Sequence, residues 1–308
     1  MFARIAVLAC CTAFSVEASG DDSDAVPLDV FLFAGQSNMV GADANAALLP
    51  TDKGDANIWF WFSVGDPPPD KYDSTSNQSW TTLRPQPKGN PAPYNSRQRQ
   101  WGNFHTKAGF GPEIGFARSY LDNEMATAAK PRSENGRPPF AILKVAYSGT
   151  SVENDWDPRQ SDGDNSCYAA LIREYRHTER SARVKGFQLR PAAFFWIQGE
   201  SDAGPARVEL YQNRLHQMLL CLREDLSNTR LPCFLGVNTK FGKGRVAGME
   251  SIVAQQKALA RLPQINYVDT TNATTANPQH FDTEGTLLVG RLLAEAFEEH
   301  CRKDEASH

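Results

Sequence analysis

A serine and a histidine lie far apart in this 308-residue sequence, each in a setting that suits acyl-transfer chemistry. Ser37 follows the apolar run 30–34, where a buried strand is expected to end and the chain to turn, and His280 precedes a helical pattern near the C-terminus. A serine hydroxyl can attack an ester carbonyl, and a neutral imidazole can take its proton. Such pairs are recognised by role and not by chain order, so the sequence predicts a nucleophile and its base. The alternative is that Ser37 only shapes a turn.

Two further polar turns follow apolar runs. Residues 147–151 follow the run 140–146 and contain Gly149, whose N–H a substrate oxygen can approach without a Cβ in the way. Gln198 follows the run 192–197 and offers an amide donor. In an open α/β sheet the turns at the carboxyl ends of the strands lie at one edge. We therefore expect these groups to lie near Ser37.

The elements that must position these turns alternate along the chain. Apolar runs predict five strands, over residues 28–34, 140–146, 192–197, 233–237 and 265–268. Apolar residues at helical spacing predict five helices, over residues 111–129, 168–183, 208–226, 248–262 and 283–300. Alternating strands and helices indicate a parallel sheet with helices on both faces, an α/β fold.

A long segment, residues 43–110, shows little periodicity and is rich in Pro, Asn, Ser and Trp. Segments this long without clear elements are usually functional insertions or lids, so we expect an insertion within a single domain over residues 21–308. Its aromatic side chains either line a substrate cleft or pack the segment onto the body of the domain: Trp59, Trp61, Trp80, Trp101 and Phe104.

Composition excludes several classes of partner. With 41% hydrophobic and 22% charged residues, the chain is an ordinary globular sequence. A net charge of −4 does not indicate nucleic-acid binding. The sequence also lacks a run of Lys and Arg residues that would bind an anionic surface. The sequence contains no phosphate loop, no dinucleotide fingerprint and no metal-ligand spacing. We therefore predict no cofactor, no metal and no nucleic-acid partner.

The first 20 residues differ from the rest. Arg4, a short apolar core over residues 5–14 and small residues up to Gly20 are typical of a signal peptide, which predicts a secreted or periplasmic protein. The apolar core is too short to span a bilayer; a buried N-terminal element is the alternative. In an exported chain Cys221 and Cys233 are the first candidates for a disulfide, and buried thiols are the alternative.

Five sequence blocks together resemble one enzyme family. They are Gly-Gln-Ser-Asn-Met at 35–39, Gly-Pro-Glu at 111–113, Tyr-Ser-Gly-Thr-Ser at 147–151, Gln-Gly-Glu-Ser-Asp at 198–202 and the His280 stretch. In this order they resemble the sialate O-acetylesterase and carbohydrate esterase family six branch of the SGNH hydrolases. The blocks extend from residue 28 to about 297, and the segment 43–110 is not explained by them.

The resemblance implies a three-layer, flavodoxin-like fold with a five-stranded parallel sheet. It also implies hydrolysis of acetyl esters on sugars, with Ser37 as nucleophile and His280 as base. The oxyanion hole would consist of the backbone N–H groups of Ser37 and Gly149 with the side chain of Gln198.

The sequence departs from the family pattern at one position. An Asp usually lies three residues before the His, and here that position is Asn277. An amide can orient the imidazole but brings no charge. The alternatives are that Asn277 or a backbone carbonyl orients His280, or that Glu200 or Asp282 supplies the charge.

Two other functions remain open at this point. Asn277 favours a non-catalytic glycan-binding module on a degraded SGNH fold, whereas the presence of both Ser37 and His280 favours an esterase. An esterase for lipid or aryl esters is the second alternative. The sequence does not distinguish xylan, sialic acid or another acetylated carbohydrate as substrate, and it does not fix the oligomeric state.

Overall fold

Strand β1 (Val26–Gly35) lies inside an eight-stranded sheet in the computed structural model, which describes residues 25–89, 108–126, 138–159 and 166–306. The other strands of this sheet are β2 (Trp59–Gly65), β3 (Ser74–Thr75), β4 (Thr81–Thr82), β7 (Ala141–Tyr147), β8 (Phe187–Ile197), β9 (Cys233–Gly236) and β10 (Ile265–Tyr267). Their order is β10-β9-β8-β1-β7-β2-β3, and β4 also pairs with β2. A separate two-stranded ribbon consists of β5 (Gln86–Pro87) and β6 (Ala108–Gly109).

The helices are α1 (Ser37–Val40), α2 (Pro112–Ala126), α3 (Cys167–Val184), α4 (Tyr211–Asp225), α5 (Met249–Leu259) and α6 (Thr283–Glu305). Six strands run parallel, from β2 through β7, β1, β8 and β9 to β10, while β3 and β4 are antiparallel to β2. The predicted α/β fold with a parallel central sheet is therefore confirmed. The predicted count of five strands is wrong, because β2, β3 and β4 were missed.

Strand β2 lies within the segment that was expected to have no clear elements. Its sequence Trp-Phe-Trp-Phe-Ser-Val-Gly is rich in aromatic residues, which favour strands, and six of its seven residues are buried. Trp61 donates from Nε1 to Glu174 Oε2 at 2.9 Å and packs edge-on against Trp80. Trp59 packs against the same ring. These three tryptophans pack the segment onto the body; Trp101 and Phe104 lie outside the described residues.

The alternation of β1 gives the sheet two apolar faces. Leu32 and Ala34 belong to a buried cluster with residues of α3, α4 and α5, whereas Phe31 and Phe33 belong to a second cluster with residues of α2 and α6. Burying each large side chain contributes about 1.5–3 kcal/mol relative to exposure. After β1 the chain first adds β2 and β7 on one side and then β8, β9 and β10 on the other. The carboxyl end of β1 is therefore the switch point where open α/β sheets bind their ligands.

The cysteines do not follow the predicted pairing. Cys221 on α4 and Cys233 on β9 are both free thiols, so the predicted disulfide between them is wrong. Cys233 is buried and donates to the carbonyl of Leu231, and burial raises its pKa to about 12. Its thiol therefore stays protonated at neutral pH. Among the described residues, no helix is long and apolar enough to cross a membrane. The predicted signal peptide, residues 1–20, lies outside the described residues.

Candidate active site

Ser37 begins the single helical turn α1 directly after β1. The amides of Met39 and Val40 donate to the carbonyl of Gln36, and the amide of Gly41 donates to the carbonyl of Ser37 at 2.9 Å. Gly41 closes the turn with a φ of +84°, and a Cβ there would lie 1.7 Å from a backbone oxygen. Only glycine fits this position. Ser37 is 7% exposed, at the carboxyl edge of the sheet.

Asn38 ties the Ser37 turn to the chain on either side of His280. Its Nδ2 donates to the carbonyl of Gln279 at 3.1 Å, and its Oδ1 accepts from the amide of Phe281 at 3.0 Å. These contacts join residues 241 and 243 positions apart in the chain. The residue that follows the predicted nucleophile therefore holds both neighbours of the predicted base.

Glu200 supports this junction between the Ser37 turn and the His280 loop. Its Oε1 accepts from Asn38 Nδ2 at 2.8 Å and from the amide of Asn238 at 3.1 Å, and Asn238 Nδ2 also donates to the carbonyl of Gln279. Burial raises the pKa of Glu200, and these hydrogen bonds oppose the rise. Its partners are the side chain and backbone amides of the junction, so Glu200 fixes the geometry of the Ser37 turn and the His280 loop.

The imidazole of His280 contacts a carboxylate that was not among the predicted site residues. His280 Nδ1 lies 2.6 Å from Asp43 Oδ2, and the side chains are only 11% and 12% exposed. With the Nδ1 proton directed at the carboxylate, the proton-accepting nitrogen is Nε2. Asp43 lies six residues after Ser37, at the beginning of the segment 43–110, so the Ser37 turn and the partner of the imidazole come from one short stretch.

The hydrogen bonds of Asn277 differ from the predicted one, which was to the imidazole of His280. Its Nδ2 donates to Asp43 Oδ2 at 2.5 Å, and its Oδ1 accepts from the amides of Gln279 and His280 at 2.8 and 3.0 Å. Asn277 therefore contacts the carboxylate and the backbone, and Asp43 is the partner of the imidazole. Asp282 caps α6, since its Oδ1 accepts from the amide of Gly285 at 2.7 Å.

Gly149 lies in an exposed turn after β7, with a φ of +70° and open space where a Cβ would point. Among the described residues, no protein group accepts a hydrogen bond from the backbone amide of Gly149 or from that of Ser37. Trp156 Nε1 donates to Thr150 Oγ1 at 2.9 Å, and that hydroxyl donates to the carbonyl of Tyr147 at 2.8 Å. The turn is thus fixed from behind while its glycine remains open to a ligand.

The side chain of Gln198 is engaged within the protein. Its Nε2 donates to the carbonyl of Thr150 at 2.9 Å and to Asp202 Oδ2 at 2.6 Å, and the side chain is fully buried. Both amide hydrogens are thereby used, so Gln198 has none left for a substrate oxygen, contrary to the prediction. Asp202 Oδ2 also accepts from the amide of Val152 at 3.0 Å, and burial raises its pKa. The two side chains hold the Gly149 turn against β8.

The carboxyl edge of the parallel sheet thus carries the serine turn, the histidine–carboxylate pair and two open amides, as expected from the resemblance to SGNH hydrolases. A family model described as "Carbohydrate esterase, sialic acid-specific acetylesterase" matches residues 27–299. The chain belongs to this family, so the resemblance to carbohydrate acetylesterases is confirmed, and esterase activity on acetylated carbohydrates is the activity that the family indicates. No curated protein matches the sequence.

Solved structures share the fold. A protein from Arabidopsis thaliana has a TM-score of 0.61 at 18% identity and covers 89% of this chain and 98% of its own. NanS has a TM-score of 0.58 at 16% identity, covering 91% and 99% of the two chains. A carbohydrate acetylesterase from Xanthomonas citri has a TM-score of 0.50 at 17% identity, covering 87% of this chain and 55% of its own.

Proposed function

We propose that this protein is a serine esterase that removes O-acetyl groups from carbohydrates through an acetyl-serine intermediate. The observation that carries the proposal is the pairing of His280 Nδ1 with Asp43 at 2.6 Å, in a loop that Asn38 fastens to the Ser37 turn. Nucleophile, base and orienting carboxylate are the three roles that serine hydrolases use on unrelated folds, and we assign them to Ser37, His280 and Asp43.

In the first half of the reaction, Ser37 Oγ attacks the acetyl carbonyl while His280 Nε2 takes the hydroxyl proton. The negative charge that develops on the carbonyl oxygen is stabilised by the open amides of Ser37 and Gly149. The bond between the acetyl carbon and the sugar oxygen then breaks, and His280 delivers the proton to that oxygen. Asp43 stabilises the imidazolium that forms between the two proton transfers.

In the second half, water attacks the acetyl-serine ester and gives up a proton to His280 Nε2. The bond to Ser37 Oγ breaks, His280 returns the proton to Ser37, and acetic acid leaves and ionises to acetate in the solvent. His280 passes each proton it takes up to the sugar oxygen or to Ser37, so the enzyme ends each cycle in its starting state. Gln198 and Asp202 contribute by holding the Gly149 turn in place.

The contact between Asp43 and His280 removes the main support for the non-catalytic glycan-binding alternative. That alternative depended on Asn277 standing where the family pattern has an acid. The carboxylate of Asp43 contacts the imidazole of His280, and Asn277 donates a hydrogen bond to the same carboxylate. A site that only bound sugar would have no need of a charged partner for the histidine.

An active-site label tests the proposal directly. A fluorophosphonate probe reacts with a serine only where a base activates it, so we expect stoichiometric labelling of Ser37, mapped by peptide mass spectrometry. The same protein should release acetate from acetylated sugars. An unlabelled folded protein that still binds sugar would support the binding module instead.

The surface beside the site favours an acidic carbohydrate. A groove of about 720 Å³ adjoins Asn277 and is lined by Thr239, Lys240, Lys243, Gly244, Thr275, Ala276, Asn277 and Pro278. It contains two lysines and no acidic residue. Lys243 is exposed and held in the left-handed region with a φ of +55°, and Gly242 N donates to the carbonyl of Pro278 at 2.7 Å, which fixes this loop to the His280 loop. A carboxylate on the sugar, as in sialic acid, complements this charge.

The variant Lys243→Met separates acidic from neutral substrates. Two charges about 4 Å apart attract by about 1 kcal/mol in water, so KM for an acetylated sialic acid should rise about fivefold. KM for a neutral acetylated xylo-oligosaccharide should stay unchanged. Lys257→Met, which removes a lysine on α5, serves as the matched control. Equal KM changes for both substrates, or none, would contradict an acidic-sugar groove while leaving the esterase proposal intact.

A further inference from the structure

A fully buried ion pair lies beneath the Ser37 turn. Lys144 on β7 and Glu113 on α2 expose no side-chain surface, and Lys144 Nζ lies 2.9 Å from Glu113 Oε2. Burial lowers the pKa of Lys144, and the charge and hydrogen bond of Glu113 oppose the shift. Taking two charges out of water is costly, and an apolar pair of similar volume is often at least as stable. Stability alone therefore does not account for this pair.

The Lys144 ammonium has two hydrogen-bond acceptors in addition to its ion pair with Glu113. Besides Glu113 it donates to Gln86 Oε1 at 2.7 Å and to the backbone carbonyl of Val40 at 3.1 Å. Val40 is the last residue of α1, the single turn that Ser37 begins. One of the two hydrogen bonds of the ammonium thus holds the end of the turn that carries the predicted nucleophile.

Glu113 and Gln86 keep the ammonium in this position. Glu113 Oε1 accepts from the amide of Gly111 at 3.0 Å and from Gln86 Nε2 at 3.1 Å. Gln86, fully buried on β5, also donates to the carbonyl of Arg84 at 2.9 Å. There is no free space here, since a Cβ on Gly111 would lie 2.1 Å from the carbonyl oxygen of Met39. The network therefore joins the segment 43–110 and the start of α2 to the Ser37 turn.

We propose that Lys144 is a positioning residue, whose bond to the Val40 carbonyl sets where the Ser37 hydroxyl and amide point, and that Glu113 and Gln86 hold Lys144 there. The inference rests on the proposed esterase function. A misplacement of about 1 Å at a reacting group can cost about 10²-fold in rate. The segment 43–110 then has a defined contribution, which is to supply Gln86 to the support of the turn.

The double variant Glu113→Gln, Lys144→Met removes the Val40 bond. Both charges disappear together, so neither is left buried and unpaired. The new glutamine keeps an oxygen that can accept from Gly111 N and Gln86 Nε2, while the Val40 carbonyl and Gln86 Oε1 lose the ammonium as donor. We expect a folded protein whose kcat on 4-nitrophenyl acetate falls at least tenfold with KM within twofold, and whose Ser37 is labelled more slowly by a fluorophosphonate.

A second ion pair on the same helix provides the control. Arg118 on α2 bonds Asp55 through Nε at 3.1 Å and Nη2 at 2.7 Å, away from the Ser37 turn. Arg118→Met with Asp55→Asn should change the melting temperature but not kcat. Full kcat in a folded Glu113/Lys144 double variant would overturn the positioning role. Wild-type protein without esterase activity or labelling would overturn the proposed function, and this inference with it.

Discussion

Alanine at position 37 should reduce kcat for acetyl ester hydrolysis by about 10⁶-fold, as removal of a nucleophile does in serine hydrolases. The Ser37→Ala variant keeps the fold, because the turn is held by backbone bonds and by the side chain of Asn38, none of which uses the Ser37 hydroxyl. Acetate release at saturating substrate and thermal unfolding of the same preparation measure the two effects.

The control for this substitution is Ser201→Ala. Ser201 lies in the turn after β8, at the same edge of the sheet, and its backbone groups make the contacts that the structure gives it. Loss of its hydroxyl should leave kcat within about threefold and leave fluorophosphonate labelling of Ser37 intact, since surface changes usually amount to less than about 0.5 kcal/mol. Turnover by Ser37→Ala above about 1% of wild type would place the nucleophile elsewhere.

The strands and turns were the predictable part of the fold. Each predicted strand and each predicted helix has a counterpart in the structure, because apolar runs and helical spacing depend only on neighbouring residues. β2 was missed although its aromatic run is a strong local signal. The Pro- and Asn-rich sequence around it favoured a loop interpretation. A count of aromatic and β-branched residues over seven positions identifies such a strand.

The composition of the site was harder to predict than its location. The Ser37, Gly149 and Gln198 turns do meet at one edge, as parallel topology requires. Which polar groups face the substrate and which face each other depends on contacts between distant residues. Gln198 uses both amide hydrogens on Thr150 and Asp202, and nothing in its own neighbourhood in the sequence indicates this. The Gly149 amide, by contrast, is open because its turn is exposed.

Asp43 shows most clearly why sequence spacing was insufficient. The acid of the family pattern is expected three residues before the histidine, so residues near 280 were the natural candidates. The carboxylate instead arrives from 237 residues away, through the loop that follows the Ser37 turn. Such a relocation preserves the interaction at His280 Nδ1 and changes only which part of the chain supplies it, so only the three-dimensional contact could identify it.

Asp43→Asn should therefore lower kcat by about 10⁴-fold, close to the loss when the orienting Asp of a serine protease becomes Asn. The amide that replaces the carboxylate can present N–H to His280 Nδ1, which would move the ring proton to Nε2 and remove the base. The charge that stabilises the imidazolium is lost as well. The bonds that Asn38 and Asn277 Oδ1 make to the backbone around His280 do not involve Asp43, so the loop should stay in place and KM should change little. Acetate release and substrate-dependence curves measure both quantities.

The second variant of this series returns the carboxylate to the position of the family pattern. Asp43→Asn with Asn277→Asp exchanges the two side chains that meet at 2.5 Å, so the charge stays within the same cluster. We expect its kcat to be at least tenfold higher than that of Asp43→Asn, a coupling of about 1.4 kcal/mol between the two positions.

Asp282→Asn is the matched control. It makes the same chemical change two residues after His280, at a helix cap where Asn serves nearly as well, and should leave kcat unchanged. If Asp43→Asn kept kcat within tenfold of wild type, His280 would need no carboxylate and the site would operate as a serine–histidine dyad. If the double variant had the same kcat as Asp43→Asn, the carboxylate would be effective only from residue 43.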